Sequence, residues 1–344
     1  MKRFMKISLS FLAALLLFVA AQYLFRGSPQ AFNVPQNKLI LAHRGVHLNY
    51  QKGVYDRRSG CEAEHIFPPS HDYIENTVES IAAAFRFGAD IVEIDIRMTA
   101  DSNLVIFHDD RLDCRTDGKG PVRQKTVAEL KQLDIGYGYT HDRGGSYPFR
   151  GKGIGRMPTL QDILQRFPDK SFLIDHKDWN TESADILIRL LAPYSPDQRE
   201  KLYLWTSPAM EDKIRTAYPE MRSYFLLYSD VKEYFLPFFL SFGLIDIPDI
   251  YRGRVMAVPE KYLKYIWGWP YRFLSSVHRQ GLSFHIMLDS EEAARRCSDL
   301  PVDGYVTDYI EITGPILNEN SIPAPESGIT QSLSADFYFF SVTE

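Results

Sequence analysis

The sequence is poor in cysteine, with three in 344 residues. No CxxC pair and no Cys/His spacing suggests zinc, so neither a disulfide-built scaffold nor a small zinc module is in view. Positive charge is not in excess either: 39 Lys and Arg stand against 44 Asp and Glu, a net charge of −5. That removes any general electrostatic reason to bind nucleic acid, and no nucleic-acid partner is expected. The first strand-like run lacks the glycine-rich turn of dinucleotide-binding folds. Long apolar runs are scarce, and the longest is at the N-terminus. What remains is 45% hydrophobic and 13% aromatic, enough for a sizeable core.

The N-terminal run spans 19 uncharged residues, Ile7 to Phe25, between Lys2, Arg3, Lys6 and Arg26. As a helix it reaches about 28 Å, against a hydrocarbon core of about 30 Å. Residues 1–26 are therefore expected to be a signal anchor, giving the chain a membrane partner through this helix. The alternative is a signal peptide cleaved before Gln22, which would leave a secreted domain. Either reading puts the rest of the chain on the non-cytoplasmic side, periplasmic or extracellular. In such a compartment Cys61 and Cys114 become a candidate pair, with Cys297 left over.

Residues 27–37, with Gly27, Pro29 and Pro35, read as a linker. Eight β-rich runs follow, at 39–43, 90–96, 104–109, 171–177, 202–206, 223–228, 283–288 and 304–309. Helical patterns lie between them, at 77–87, 126–133, 159–167 and 183–191, several opening on Ser or Thr as an N-cap. This alternation predicts an α/β fold, a (β/α)8 TIM barrel over 38–316, with a tail at 317–344.

Polar residues gather at the C-terminal ends of these runs, the rim where barrel active sites lie. Glu93 and Asp95 are two apart on a strand, so their carboxylates share a face, and Asp175 supplies a third. Glu93 and Asp95 are expected on a solvent-facing rim, and the trio suits a divalent cation, Mg2+ or Ca2+. His43 and His108 end two strands and can divide general acid and base work. Arg44 and Lys177 add cations. Carboxylates, cations and two histidines together suit a phosphate diester.

The series LAHRG (41–45), ENTVES (75–80), GADIVEIDIRMTAD (88–101), LVIFHDD (104–110), RTDGKGPV (115–122), MPTLQDIL (157–164) and VDGYVTDY (302–309) resembles the glycerophosphodiester phosphodiesterase family. The resemblance implies a (β/α)8 barrel that uses Mg2+ or Ca2+ to hydrolyse glycerophosphodiesters to glycerol 3-phosphate and an alcohol. It implies His43 and His108 as acid and base, Glu93 and Asp95 as metal ligands, and Arg44, Glu75 and Lys177 as substrate-binding residues. In the implied mechanism the glycerol 2-hydroxyl attacks phosphorus, and water then opens the cyclic phosphate.

Four departures from the family pattern stand out. Asp175 occupies a position where a glutamate is usual. An insertion at 46–74, containing His47, Cys61, Glu62, Glu64, His65 and His71, would form a lid or substrate wall. The run FHIML (284–288) replaces a tryptophan-containing one. Tyr234–Ile245 is apolar and aromatic but too short to span a bilayer, so it is either core or an interfacial surface. The last feature raises a second reading, lysophospholipase D action on a lysophospholipid. A third is a catalytically silent binding barrel.

Overall fold

The computed structural model describes residues 13–319 except 23, 30, 31, 34, 36, 52–60, 228 and 229. Along the chain run β1 (Leu39–Ala42), α1 (Val78–Arg86), β2 (Ile91–Met98), β3 (Leu104–Ile106), α2 (Leu160–Arg166), β4 (Ser171–His176), α3 (Thr181–Leu191), β5 (Leu202–Trp205), α4 (Pro208–Ala217), β6 (Arg222–Ser223), α5 (Leu236–Leu240), β7 (Val255–Pro259), α6 (Tyr271–Arg279), β8 (Ser283–Leu288), α7 (Glu291–Cys297), β9 (Gly304–Thr307) and α8 (Ile310–Glu319). Helices begin where side-chain caps satisfy the first free amides: Thr77 and Thr159 close capping boxes at α1 and α2, and Asn180 caps α3.

Eight strands form one curled parallel sheet in the order β6-β5-β4-β2-β1-β9-β8-β7. The two ends of that path meet at a parallel bridge between Phe225, just past β6, and Val255 of β7. There Val255 donates to the Tyr224 carbonyl at 2.7 Å and accepts from Leu226 at 3.3 Å. Two strand expectations need correction. Leu104–Ile106 is not a barrel strand; it pairs antiparallel with β2, outside the parallel path. The missing eighth strand is β7, whose short VMAVP run ends on a proline. Both errors have one cause: apolar content marks a buried strand without saying which neighbour it pairs with.

Alternation along the strands builds two layers. From β1, β2 and β4, residues such as Ile40, Val92, Ile94, Phe172 and Ile174 face the helices, in the main core. Leu41, Ile91 and Leu173 turn inward and pack with Tyr224, Phe225, Val255 and Val306 inside the barrel. A third cluster joins the insertion to the long excursion after β3, through Leu48, Tyr50, Ala63 and Ile66 against Phe107, Leu112, Tyr139 and Phe149. The insertion therefore has its own core. Cys61 and Cys114 form a disulfide across it, with Cα atoms 5.2 Å apart, and Cys297 is free and buried.

At the N-terminus a helix covers 13–22, and Phe18 packs edge-on against Phe242, ring centroids 5.7 Å apart. Among the described residues no helix is long and apolar enough to cross a membrane. The first part of the expected anchor, 1–12, lies outside the described residues, as do 320–344 of the expected tail. The aromatic stretch is divided in role: Phe238 is wholly buried, whereas Leu236, Leu240, Leu244 and Ile245 are exposed.

Candidate active site

Each rim residue is placed by the strand that carries it. On β2 the inward positions after Ile91 are Glu93 and Asp95, and Asp95 lies in register with Asp175 of β4. One carboxylate oxygen from each of Glu93, Asp95 and Asp175 lies within 4.8 Å of the other two. The expectation of a solvent-facing Glu93 and Asp95 is wrong. Glu93 and Asp95 are only 1% and 0% exposed, and Asp175 is buried too, with Arg44, Asn76 and Lys177 packed against the carboxylates.

Burial decides how these groups ionise. It raises Glu93, helped by neighbouring Asp95, up to about 8. Burial opposes the charge on Asp95 as well, but Lys177 and Arg44 hold that carboxyl well below the usual range. Its Oδ2 accepts from Asn76 Nδ2 at 2.7 Å and lies 3.1 Å from Arg44 Nε. Lys177 Nζ stands 2.8 Å from Asp95 Oδ1 and also contacts Asp175. The first approach is an ion pair without hydrogen-bond geometry, so Asp95 Oδ1, like Glu93 Oε1, makes no hydrogen bond. Two buried acceptor oxygens without hydrogen bonds, in a cluster of three carboxylates, fit a divalent cation.

Arg44 is held in the left-handed region at φ 55°, a conformation found at constrained sites. The turn aims its backbone amide at Glu93 Oε2, 2.9 Å away. Its guanidinium reaches Glu75 at 3.0 Å and Glu62 of the insertion at 3.2 Å. Arg115 duplicates this grip, binding Glu75 at 2.8 Å, Glu62 at 2.5 Å and Asp109 at 3.0 Å, with the Tyr50 and Tyr139 hydroxyls at 2.7 and 2.8 Å. Burial works against a charged Glu75, yet Arg115 and Arg44 bring it down to about 2.

Both histidines are anchored at one nitrogen. His43 Nδ1 meets Asp308 at 2.7 Å, and His108 Nδ1 meets Asp109 at 2.7 Å. Burial and Arg44 lower His43, but Glu93 and Asp308 outweigh them and leave it above the ordinary value. Burial and then Arg44 carry His108 below it. Of the sequence-derived residues, His43, Arg44, Glu93 and His108 line a cavity of about 1250 Å³. Glu75, Asp95, Asp175 and Lys177 sit behind that lining. The sequence reading gave no role to Asp308, Asp109, Arg115 or His47. Asp109 and Asp308 end predicted strands on the rim, beside His108 and Thr307, which was their signal, whereas Arg115 lies in a quoted motif with only its charge to mark it. His47 came from the insertion, where burial carries it down to about 4. The far wall of the cavity is apolar: Trp205, Phe225, Leu226, Val231, Phe235 and Met287.

Comparison with known proteins points the same way. The model of the glycerophosphoryl diester phosphodiesterase family matches residues 60–192. A putative glycerophosphodiester phosphodiesterase of Bacillus subtilis is 26% identical over 243 residues, 68% of this chain and 89% of that protein. A glycerophosphodiester phosphodiesterase of the same organism is 38% identical over 136 residues, 39% of this chain but only 37% of that protein. An Oleispira antarctica phosphodiesterase, solved in complex with the product sn-glycerol-3-phosphate, superposes with a TM-score of 0.56 at 19% identity, over 83% of this chain and 97% of that one. With the motif order, the curled parallel sheet and the rim cluster already in place, these matches support a place for the chain in the glycerophosphoryl diester phosphodiesterase family.

Proposed function

We propose that the chain hydrolyses glycerophosphodiesters to glycerol 3-phosphate and an alcohol, with His43 and His108 moving the protons. The observation that carries this reading is the pair of anchored imidazoles. Because a carboxylate holds Nδ1 of each ring, Nε2 is the nitrogen left to exchange protons, and both rings border the cavity. One Nε2 takes the proton of the attacking glycerol 2-hydroxyl while the other protonates the departing alcohol oxygen, and water then opens the resulting cyclic phosphate to glycerol 3-phosphate. Arg44 orients the phosphoryl group from the wall. Glu93, Asp95 and Asp175 would hold Mg2+ or Ca2+, which when bound supplies positive charge for the phosphoryl oxygens. Packing alone needs none of these charges, which argues against a silent barrel.

The test is product analysis. Glycerophosphocholine should give glycerol 3-phosphate, and His43→Ala or His108→Ala should each slow turnover by about 10²- to 10⁴-fold. Full activity of both variants would sink the assignment.

The apolar wall favours a second reading, a lysophospholipid whose acyl chain lies along Phe225, Val231 and Phe235. Each methylene buried there is worth about 0.8 kcal/mol. Comparing lysophosphatidylcholine with glycerophosphocholine separates the two. A non-cytoplasmic location is supported by the Cys61–Cys114 disulfide and the basic, then apolar, N-terminal sequence. Protein recovered from cells with both thiols free would contradict it.

A further inference from the structure

Beside the carboxylate trio stands a second group of ligating atoms. A ring nitrogen of His43, a ring nitrogen of His47 and a carboxylate oxygen of Asp308 lie within 4.8 Å of one another. The barrel itself brings them together: both histidines follow β1, Asp308 follows β9, and these strands pair in register with Ala42 opposite Thr307. The two imidazoles stack with centroids 4.7 Å apart.

His47 is the informative member, because the hydrolytic reading gives it nothing to do. It is only 5% exposed, borders the cavity, and neither ring nitrogen has a hydrogen-bond partner. A Glu75 oxygen is 3.7 Å from Nε2, too far for a hydrogen bond. Buried polar groups without partners are costly and uncommon, and a buried neutral imidazole offers a lone pair. Two imidazoles and a carboxylate form the mixed nitrogen and oxygen set that suits zinc-class ions, whereas the all-oxygen trio suits Mg2+ or Ca2+.

We propose that His43, His47 and Asp308 form a second cation site, selective for zinc-class ions, whose occupation switches hydrolysis off. The switching rests on the reading of His43 as a proton-transfer residue; the binding does not. An ion held through His43 Nε2 blocks the nitrogen that serves the substrate. An ion held through Nδ1 displaces the proton shared with Asp308, so the neutral ring must carry its proton on Nε2 and can no longer accept one. Either route disables the same imidazole.

The test uses the full chain saturated with Mg2+ and titrated with Zn2+. Equilibrium dialysis should show one Zn2+ per chain that excess Mg2+ does not displace, with affinity reduced at least tenfold in His47→Gln. Ring 15N signals of His43 and His47 should shift on zinc addition. That readout uses the wild-type protein, so it stands even if His47→Gln fails to fold. Glycerophosphocholine turnover should fall as the site fills, while His47→Gln without zinc keeps its turnover. Zinc that Mg2+ displaces, equal zinc affinity in the variant, or unmoved histidine signals would each overturn the site. A filled site with undiminished turnover would overturn the switch. Zinc binding at these histidines in a protein inactive on every glycerophosphodiester would instead count against the hydrolase reading and leave the site intact.

Discussion

The two walls of the cavity are built on different principles. On the wall formed by the segments that follow β1 and β3, the charged side chains are tied into one ion-pair lattice: Arg44 and Arg115 share Glu62 and Glu75, and Asp109 joins Arg115 to His108. The facing wall, from Trp205 round to Met287, offers aromatic and aliphatic surface with no charge among Trp205, Phe225, Leu226, Val231, Phe235 and Met287. Charges that must meet a transition state have to be positioned within a fraction of an ångström, which takes such a lattice of partners. A surface that only excludes water tolerates looser placement. Chemistry and substrate choice should therefore respond separately to mutation.

The largest effect is expected inside the trio. Glu93→Gln should abolish turnover and metal retention but leave the unfolding midpoint nearly unchanged, since burial already pushes this carboxyl up to about 8. Asp95→Asn should abolish turnover as well and also destabilise the fold, because it strips Lys177 and Arg44 of a buried counter-charge; breaking such a pair costs about 3–5 kcal/mol. Parallel activity and denaturant curves check both. Equal stability loss in the two variants would show that the partners of Asp95 do not hold that wall.

Next comes the arginine lattice. Arg115→Met should cost about 3–5 kcal/mol in chemical denaturation, since Glu75 and Asp109 are left buried with fewer partners. The pH dependence follows from Glu75. Its folded pKa is depressed to about 2, so its stabilisation is full above the unfolded value near 4.5 and is lost as pH falls toward 2. Stability measured from pH 5 to 2 should fall less steeply in Glu75→Gln than in the wild type.

Reducing the disulfide should have a smaller effect on the same wall. Cys61 precedes Glu62 and Cys114 precedes Arg115, so the bridge braces an ion pair that borders the cavity. Freeing a loop of 53 residues costs about 4 kcal/mol at most in the chain-entropy account. Cys61→Ser should lower the unfolding temperature and weaken substrate binding. An unchanged KM would mean that the insertion core positions Glu62 without help.

The smallest effect belongs to the apolar wall. Phe235→Ser should lower lysophosphatidylcholine turnover about tenfold, the worth of one or two methylene contacts, and spare glycerophosphocholine. Phe238 is unsuitable for this test: it is wholly buried, and its replacement would unfold the barrel locally. If both substrates suffer equally with Phe235→Ser, the separation between the walls fails.

The difference between the walls also explains what could be read from sequence. The charged wall was legible because its residues sit at fixed offsets at strand ends, as with Glu93 and Asp95, or as a histidine closing an apolar run. Its lattice was not, since the meeting of Arg115 with Glu62 and Tyr50 depends on how two long excursions fold together. The apolar wall left only a diffuse signal: Phe225, Phe235 and Phe238 look alike in sequence, yet two line the cavity and one fills the core. Pairing direction was the remaining blind spot, so β3 was counted as a barrel strand and β7 was missed.

The short β6 gives the barrel a seam. Six residues of β2 lie in register with β4, but β6 contributes only Arg222 and Ser223, and beyond them the wall is stitched to β7 through Val255. A cylinder loaded evenly parts at its thinnest stave, and local opening in proteins follows the same logic. Here the thin stave runs beneath Phe225 and Leu226, away from the histidines. Local opening is therefore expected on the apolar side of the cavity before the side that carries His43 and His108.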